Sequence, residues 1–175
     1  MTKPKKAAAA KPAAPSLDDG QHIDIVMINA LLHSLYTIFS TMVRLEIHPG
    51  IPTIKQDNIA HGIATGLIAM NSEGLKGSVA LSLSLPAIGQ ISLSMLGEEF
   101  TSLNKDATDL VGELTNMLVG GAKRILSEKG HDFDMHTPQL LMGDDHEVVH
   151  YCHGQTILLP VQIKDDEFYI EMNFV

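Results

Sequence analysis

Glu113 and Asn116 are the two residues of this sequence whose types and spacing together suggest chemistry. Three positions apart on a helix, their Cβ atoms fall within about 5 to 6 Å on one surface, so both side chains can reach a single target. The carboxylate brings a charge and accepts hydrogen bonds; the carboxamide donates and accepts without titrating near neutral pH. They belong to a longer series, Asp109, Glu113, Asn116, Gly120, Lys123 and Ser127, spaced three or four apart and therefore aligned as one stripe of polar or small groups. Beside the stripe, Leu110, Leu114, Met117, Leu118, Gly121 and Ile125 recur at helical spacing and form the face expected to be buried, which leaves the stripe exposed. Gly120 lies one turn beyond Asn116, where any larger residue would hold a partner's backbone away; glycine at an exposed helix position costs about 1 kcal/mol relative to alanine. Spacing alone does not separate such a pair from an ordinary solvated helix face.

The helix that carries the stripe is predicted over residues 106–129, with acidic residues early, basic residues late and Gly130 as its stop. An earlier helix is predicted over residues 23–43, a stretch without Pro or Gly that follows the capping groups Ser16, Asp18 and Asp19. Its residues Ile28, Leu31, Leu32, Leu35, Ile38, Phe39 and Met42 are expected to face the core. An irregular piece with Pro49, Gly50 and Pro52 leads to two β-like runs, 61–70 and 75–85, joined as a hairpin by Asn71-Ser72-Glu73-Gly74. Small polar and apolar residues alternate from Ser78 to Leu85, which puts one face on the core and the other towards solvent or a neighbour. Pro86 opens a short helix running to about Leu96, where Gly97 closes it. Strands are predicted near 133–136 and over 147–153, 155–163 and 167–174. Long helices interspersed with hairpins fit an α+β layered domain with three main helices and antiparallel hairpins, because parallel α/β sheets need alternating strands and helices.

A chain of 175 residues supports one core of ordinary size. Residues 1–20 read as a flexible Lys/Ala/Pro-rich tail and 21–175 as the domain. The formal charge is −9; residues 1–15 contribute +4 through Lys3, Lys5, Lys6 and Lys11, so residues 16–175 carry −13, which repels phosphate backbones. Aromatic residues are scarce and tryptophan is absent, so base-stacking platforms are not expected either, and nucleic acid is a poor partner. No uncharged apolar run approaches the eighteen or so residues that span a bilayer. Lys and Pro interrupt the N-terminal stretch before a secretory segment could form, and the single Cys152 cannot make an internal disulfide, which points to a reducing cytoplasm. His146, His150, Cys152 and His153 are zinc-ligand types. On a strand, however, His150 and Cys152 share one side and His153 the other, so no metal site is expected. Gly62 and Gly66 are expected to serve packing, and methionines such as Met42, Met95 and Met117 to fill the core. No Gly-x-Ser-x-Gly elbow, phosphate loop or dinucleotide fingerprint is present.

The string from Asp109 to Lys123, Asp-Leu-Val-Gly-Glu-Leu-Thr-Asn-Met-Leu-Val-Gly-Gly-Ala-Lys, resembles the signature helix of the CheC/CheX/FliY family of chemotaxis phosphatases, and more closely its CheX branch. Asn29-Ala30, Phe39-Ser40-Thr41-Met42, Leu75-Lys76-Gly77-Ser78-Val79-Ala80-Leu81 and Met95-Leu96-Gly97-Glu98-Glu99 extend the likeness over most of the chain beyond the tail. The resemblance implies a CheC-like α+β domain, a homodimer, and hydrolysis of the aspartyl phosphate of a CheY-type response-regulator receiver. It implies that Glu113 and Asn116 are catalytic and that Asp109, Gly120 and Lys123 touch the partner. Mg²⁺ and a lysine would come from the receiver, with no cofactor bound by this chain. Relatives with two centres carry a second Glu and Asn pair on the first helix; three positions before Asn29 stands Val26, so a single centre is expected. Gly121 departs from the pattern, since a polar residue such as Asn would be accepted there in a close relative. The rival expectation is a CheC-like adaptor that binds a receiver or a flagellar-switch component without catalysis; a pure binder has no need of an amide aimed at water.

Overall fold

The computed structural model describes residues 20–175, with side chains from Ile23 onward, so the predicted tail and the capping residues Ser16, Asp18 and Asp19 lie outside the described residues. Helix α1, Gly20–Ile38, runs directly into a π-helical turn, Phe39–Val43. Hydroxyl groups compete with the main-chain ladder here: Thr37 Oγ1 donates to His33 O (3.0 Å) and Thr41 Oγ1 to Thr37 O (2.6 Å). The turn closes with Arg44 N–H on Phe39 O at 2.7 Å, and Arg44 itself adopts the left-handed region at φ 58°. The wider turn shifts the register, so Val43 is buried while Met42 is 49% exposed, which corrects the expectation that Met42 faces the core. Leu31, Leu35, Ile38 and Phe39 are buried as expected, and Phe39 stacks on Phe168 with ring centroids 5.4 Å apart.

Ile23–Val43 is also long and apolar enough, by length and composition, to cross a membrane, contrary to the sequence expectation that no such run is present. Its apolar face packs into the core with Leu114, Leu118 and Ile125, and Asn29, His33 and Thr37 occupy the exposed side, the division of a core helix in a soluble fold.

The strands β1 (Ile47–Pro49), β2 (Thr53–Ile54), β3 (Ala64–Ser72), β4 (Leu75–Leu83), β5 (Asp134–Met135), β6 (Gln139–Met142), β7 (Ile157–Ile163) and β8 (Asp166–Phe174) form one sheet in the order β1-β7-β8-β4-β3-β5, with β2 also on β7 and β6 also on β3. Every pairing is antiparallel, as expected for an α+β domain. The β3–β4 hairpin turns through Glu73-Gly74 alone, with Gly74 at φ 81°, two residues tighter than read from sequence. The second run ends earlier than predicted, because Ser84 caps α2 (Leu85–Leu96) by accepting from Ala87 N–H at 3.1 Å. Gly97 closes that helix at φ 76°. β1 and β2 fall in the piece expected to be irregular, and β6 was not expected at all. All three are short edge strands.

With α3 (Lys105–Glu128), the helices cover one face of the sheet, where Ile68, Met70, Val79, Leu81, Phe168 and Ile170 join them in one core. The other face is covered by the chain itself. Residues 147–153, expected to be a strand, form an irregular strap whose only bridge is Glu147 with Ile59. β4 and β8, which lie beneath the strap, are already paired on both sides, so they offer it no edge, and it is held mainly by side chains. His146 Nδ1–H donates to Gly143 O (2.8 Å), and its Nε2 accepts from Thr65 Oγ1 (2.7 Å). His150 Nε2–H donates to Glu171 Oε2 (3.1 Å), and its Nδ1 accepts from Ser78 Oγ (2.7 Å). Lys55 Nζ completes the group on Glu171 Oε1 at 2.7 Å. His146 and His150 therefore reach the same sheet face, where they are held by different hydrogen-bond partners. Val148, Leu67 and Ala80 form a small apolar cluster between these polar groups.

Candidate functional site

Asn104 starts α3, its side chain accepting from Ala107 N–H at 2.9 Å, and Gly130 at φ 88° follows its end. The helix is seated at backbone contact distance by two glycines. A Cβ on Gly66 of β3 would overlap Thr115 Oγ1, and a Cβ on Gly121 would overlap Ser34 Oγ of α1. Ser34 Oγ donates across this crossing to Leu118 O at 2.8 Å. Gly121 is thus fixed by the approach of α1 and sits off the exposed stripe, so the polar residue considered for this position has no room. Gly66→Ala should destabilise the chain by about 1 to 3 kcal/mol through overpacking, read as a lower urea midpoint with an unchanged slope.

On the buried side of α3, Leu110, Leu114, Leu118, Ala122 and Ile125 are in the core, and Met117 and Gly121 are half-buried at its margin. On the opposite side Asp109, Glu113, Asn116 and Ser127 are exposed, and Gly120 and Lys123 are half-buried. The predicted stripe is therefore continuous on the surface. Its two ends are engaged within the chain: Asp109 pairs with Lys105, whose ammonium that hydrogen bond and charge hold above its ordinary pKa, and Ser127 Oγ donates to Asp132 Oδ1. Among the described residues, the Glu113 carboxylate has no ion pair and neither Glu113 nor Asn116 makes a side-chain hydrogen bond. Both side chains are free on a rigid, convex helix.

A convex pair cannot enclose a small substrate. The open cleft of about 670 Å³ at the end of α1, lined by Tyr36, Phe39, Arg44 and His48, includes neither residue. What Glu113 and Asn116 can do is enter a pocket that another molecule supplies. On α1, Val26 is half-buried and Asn29 exposed, so that helix offers a carboxamide without a carboxylate three residues before it. Sequence reasoning missed the Lys55–Glu171–His150–Ser78 group, which lies on the far face of the sheet; its members come from positions as far apart as 55 and 171, and no local spacing announces it.

The family described as chemotaxis phosphatase CheX matches residues 64–162, a span that contains all of α3. CheY-P phosphatase CheX of Thermotoga maritima is 29% identical over 147 residues, covering 83% of this chain and 92% of that protein. Among solved structures, a CheC-like superfamily protein from Shewanella sp. PV-4 is 42% identical with a TM-score of 0.80, covering 86% of this chain and 98% of that one. Chemotaxis protein CheX from Vibrio vulnificus is 42% identical with a TM-score of 0.78, covering 85% and 99%. The fold alone is shared, at 19% identity and a TM-score of 0.67 over 85% of this chain and 96% of that one, with the CheX of Borrelia burgdorferi crystallised as a CheX-CheY-BeF3-Mg²⁺ complex.

Proposed function

Because this chain belongs to the chemotaxis phosphatase CheX family, we propose that it hydrolyses the aspartyl phosphate of a CheY-type receiver domain, with Glu113 and Asn116 as the groups that enter the receiver's phosphorylation pocket. One observation carries the assignment of the pair: a carboxylate and a carboxamide three residues apart stand exposed and uncommitted on a helix that the core holds rigid. In the reaction a water oxygen bonds to phosphorus, the aspartyl oxygen–phosphorus bond breaks, and inorganic phosphate leaves with the receiver carboxylate restored. The Asn116 carboxamide accepts from that water and holds it in line with the breaking bond. The Glu113 carboxylate pairs with the lysine of the receiver's pocket and fixes the register of docking. Mg²⁺ belongs to the receiver and neutralises the charge that develops on the phosphoryl oxygens, so this chain binds no cofactor of its own. Asp109, Gly120 and Lys123 flank the pair and contact the partner.

The reading is tested by titrating the chain against a receiver loaded with Mg²⁺ and beryllofluoride, and against the same receiver unloaded. Binding is expected to favour the loaded form at least tenfold; equal binding to both would count against a role at the phosphorylation pocket. Glu113→Ala should raise KM for the phosphorylated receiver roughly tenfold, the loss of one charge-assisted contact, and also lower kcat. The same reading places the chain in the cytoplasm and in a homodimer. The short edge strands β1, β2, β5 and β6, whose outer backbone groups are open to pairing, support the dimer.

A further inference from the structure

Gly120 differs from the other glycines of the α3 surface in having no reason inside the chain. A Cβ on Gly121 would overlap Ser34, and one on Gly112 would stand 3.3 Å from Leu140 Cδ2. Around Gly120 the nearest atom outside its neighbours and the helix backbone is Met135 Sδ at 4.0 Å, an ordinary contact distance, so an alanine methyl would fit the folded chain. Alanine would also be the better helix former. The missing side chain leaves a notch on the exposed side of α3, between Asn116 one turn before it and Lys123 one turn after, with the half-buried Met135 thioether of β5 as its floor.

We infer that this notch receives an apolar side chain of the docked receiver against Met135, so that the footprint beside the catalytic pair extends across α3 onto β5. This rests on the phosphatase reading and adds a specificity-determining residue, Met135, that lies 15 positions from Gly120 and off the helix. The floor is apolar and polarizable, which suits an aliphatic or aromatic side chain and disfavours a charged one. The position is close enough to Asn116 that filling the notch lifts the partner's pocket away from the water-holding amide, and a receiver that presents a charge here docks poorly.

Steady-state phosphate release from a phosphorylated receiver, with thermal unfolding of each variant, tests the inference. Gly120→Ala is expected to melt a few degrees higher than the wild-type chain while its KM rises at least fivefold. Met135→Gln, similar in length but polar, should raise KM by a similar factor with kcat within twofold. The double variant should raise KM by less than the product of the two single effects, because both act on one contact. A lower melting temperature for Gly120→Ala would show that the fold itself requires the glycine, and would overturn the inference. Unchanged KM in both variants while the wild-type chain is active would overturn it and leave the phosphatase reading standing. A wild-type chain that fails to accelerate phosphate release removes that reading and this inference together.

Discussion

Asn116→Ala is expected to abolish accelerated loss of aspartyl phosphate, returning the receiver to its own hydrolysis rate, while leaving the melting temperature of the chain unchanged to within about one degree. The two halves of this result have separate physical sources. Asn116 is exposed and makes no side-chain hydrogen bond among the described residues, so its removal takes no packing or buried bond from the fold. Surface substitutions of this kind stay within about 0.5 kcal/mol. The catalytic half follows from the role proposed for Asn116, the orientation of the attacking water. A hundred- to thousandfold acceleration corresponds to about 3 to 4 kcal/mol of barrier, which is within what orientation alone supplies. The measurement is a single-turnover decay with the variant in excess over a phosphorylated receiver, with circular dichroism to confirm the fold. Decay at the wild-type rate would remove Asn116 from the mechanism.

The largest effect on stability is expected at the other face of the sheet. Glu171 is fully buried, with Lys55 at 3% exposure on one carboxylate oxygen and His150 at 5% on the other. Glu171→Gln keeps the shape but removes the charge, leaving the Lys55 ammonium buried without a counter-ion. Breaking a buried pair in this way costs about 3 to 5 kcal/mol, which for a chain of this size is a fall in melting temperature of roughly 10 °C. Replacing both partners, Lys55→Met with Glu171→Leu, should cost far less, because no unpaired charge remains. By contrast Arg124→Ala, which breaks an exposed pair with Glu128 on α3, should change stability by less than about 1 kcal/mol. Urea unfolding of the three variants orders these effects, and a Glu171→Gln loss no larger than that of Arg124→Ala would refute the account of the network. Phosphate release should persist in folded Glu171→Gln, since β8 presents Glu171 away from the face that carries α3.

α3 was legible because three independent signals agree on it: the stop at Gly130, the acidic start, and an apolar series whose complement is the polar stripe; the Asn104 cap itself emerged only in the fold. The pair was legible for the same reason, since a helix with a strong buried face leaves little doubt about which residues look outward. The strap was misread because Val148, Val149 and Tyr151 give 147–153 the composition of a strand, while what decides the conformation is that β3, β4 and β8 offer no free edge and instead present Thr65, Ser78 and Glu171 to side chains from above. Those partners are up to 81 positions distant, beyond any local pattern. Met42 was misplaced by a single residue of helical winding, because hydroxyl-to-carbonyl bonds at Thr37 and Thr41 open a π turn that ideal periodicity does not contain. Gly121 appeared to depart from a pattern of polar residues until Ser34, on a helix more than eighty positions earlier, was found pressed against it. β1, β2 and β6, of two to four residues each, are too short to carry a period at all.

The central claim is that an exposed carboxylate and carboxamide complete another protein's pocket and make it turn over. It is tested most directly by following phosphorylated receiver mixed with Mg²⁺ and one-twentieth of its concentration of this chain. The receiver should lose its phosphate at a rate proportional to the added chain, with many phosphates released per chain, and the proportionality should vanish for the Glu113→Ala, Asn116→Ala double variant. Binding without any increase in that rate would contradict the claim and leave the chain an adaptor.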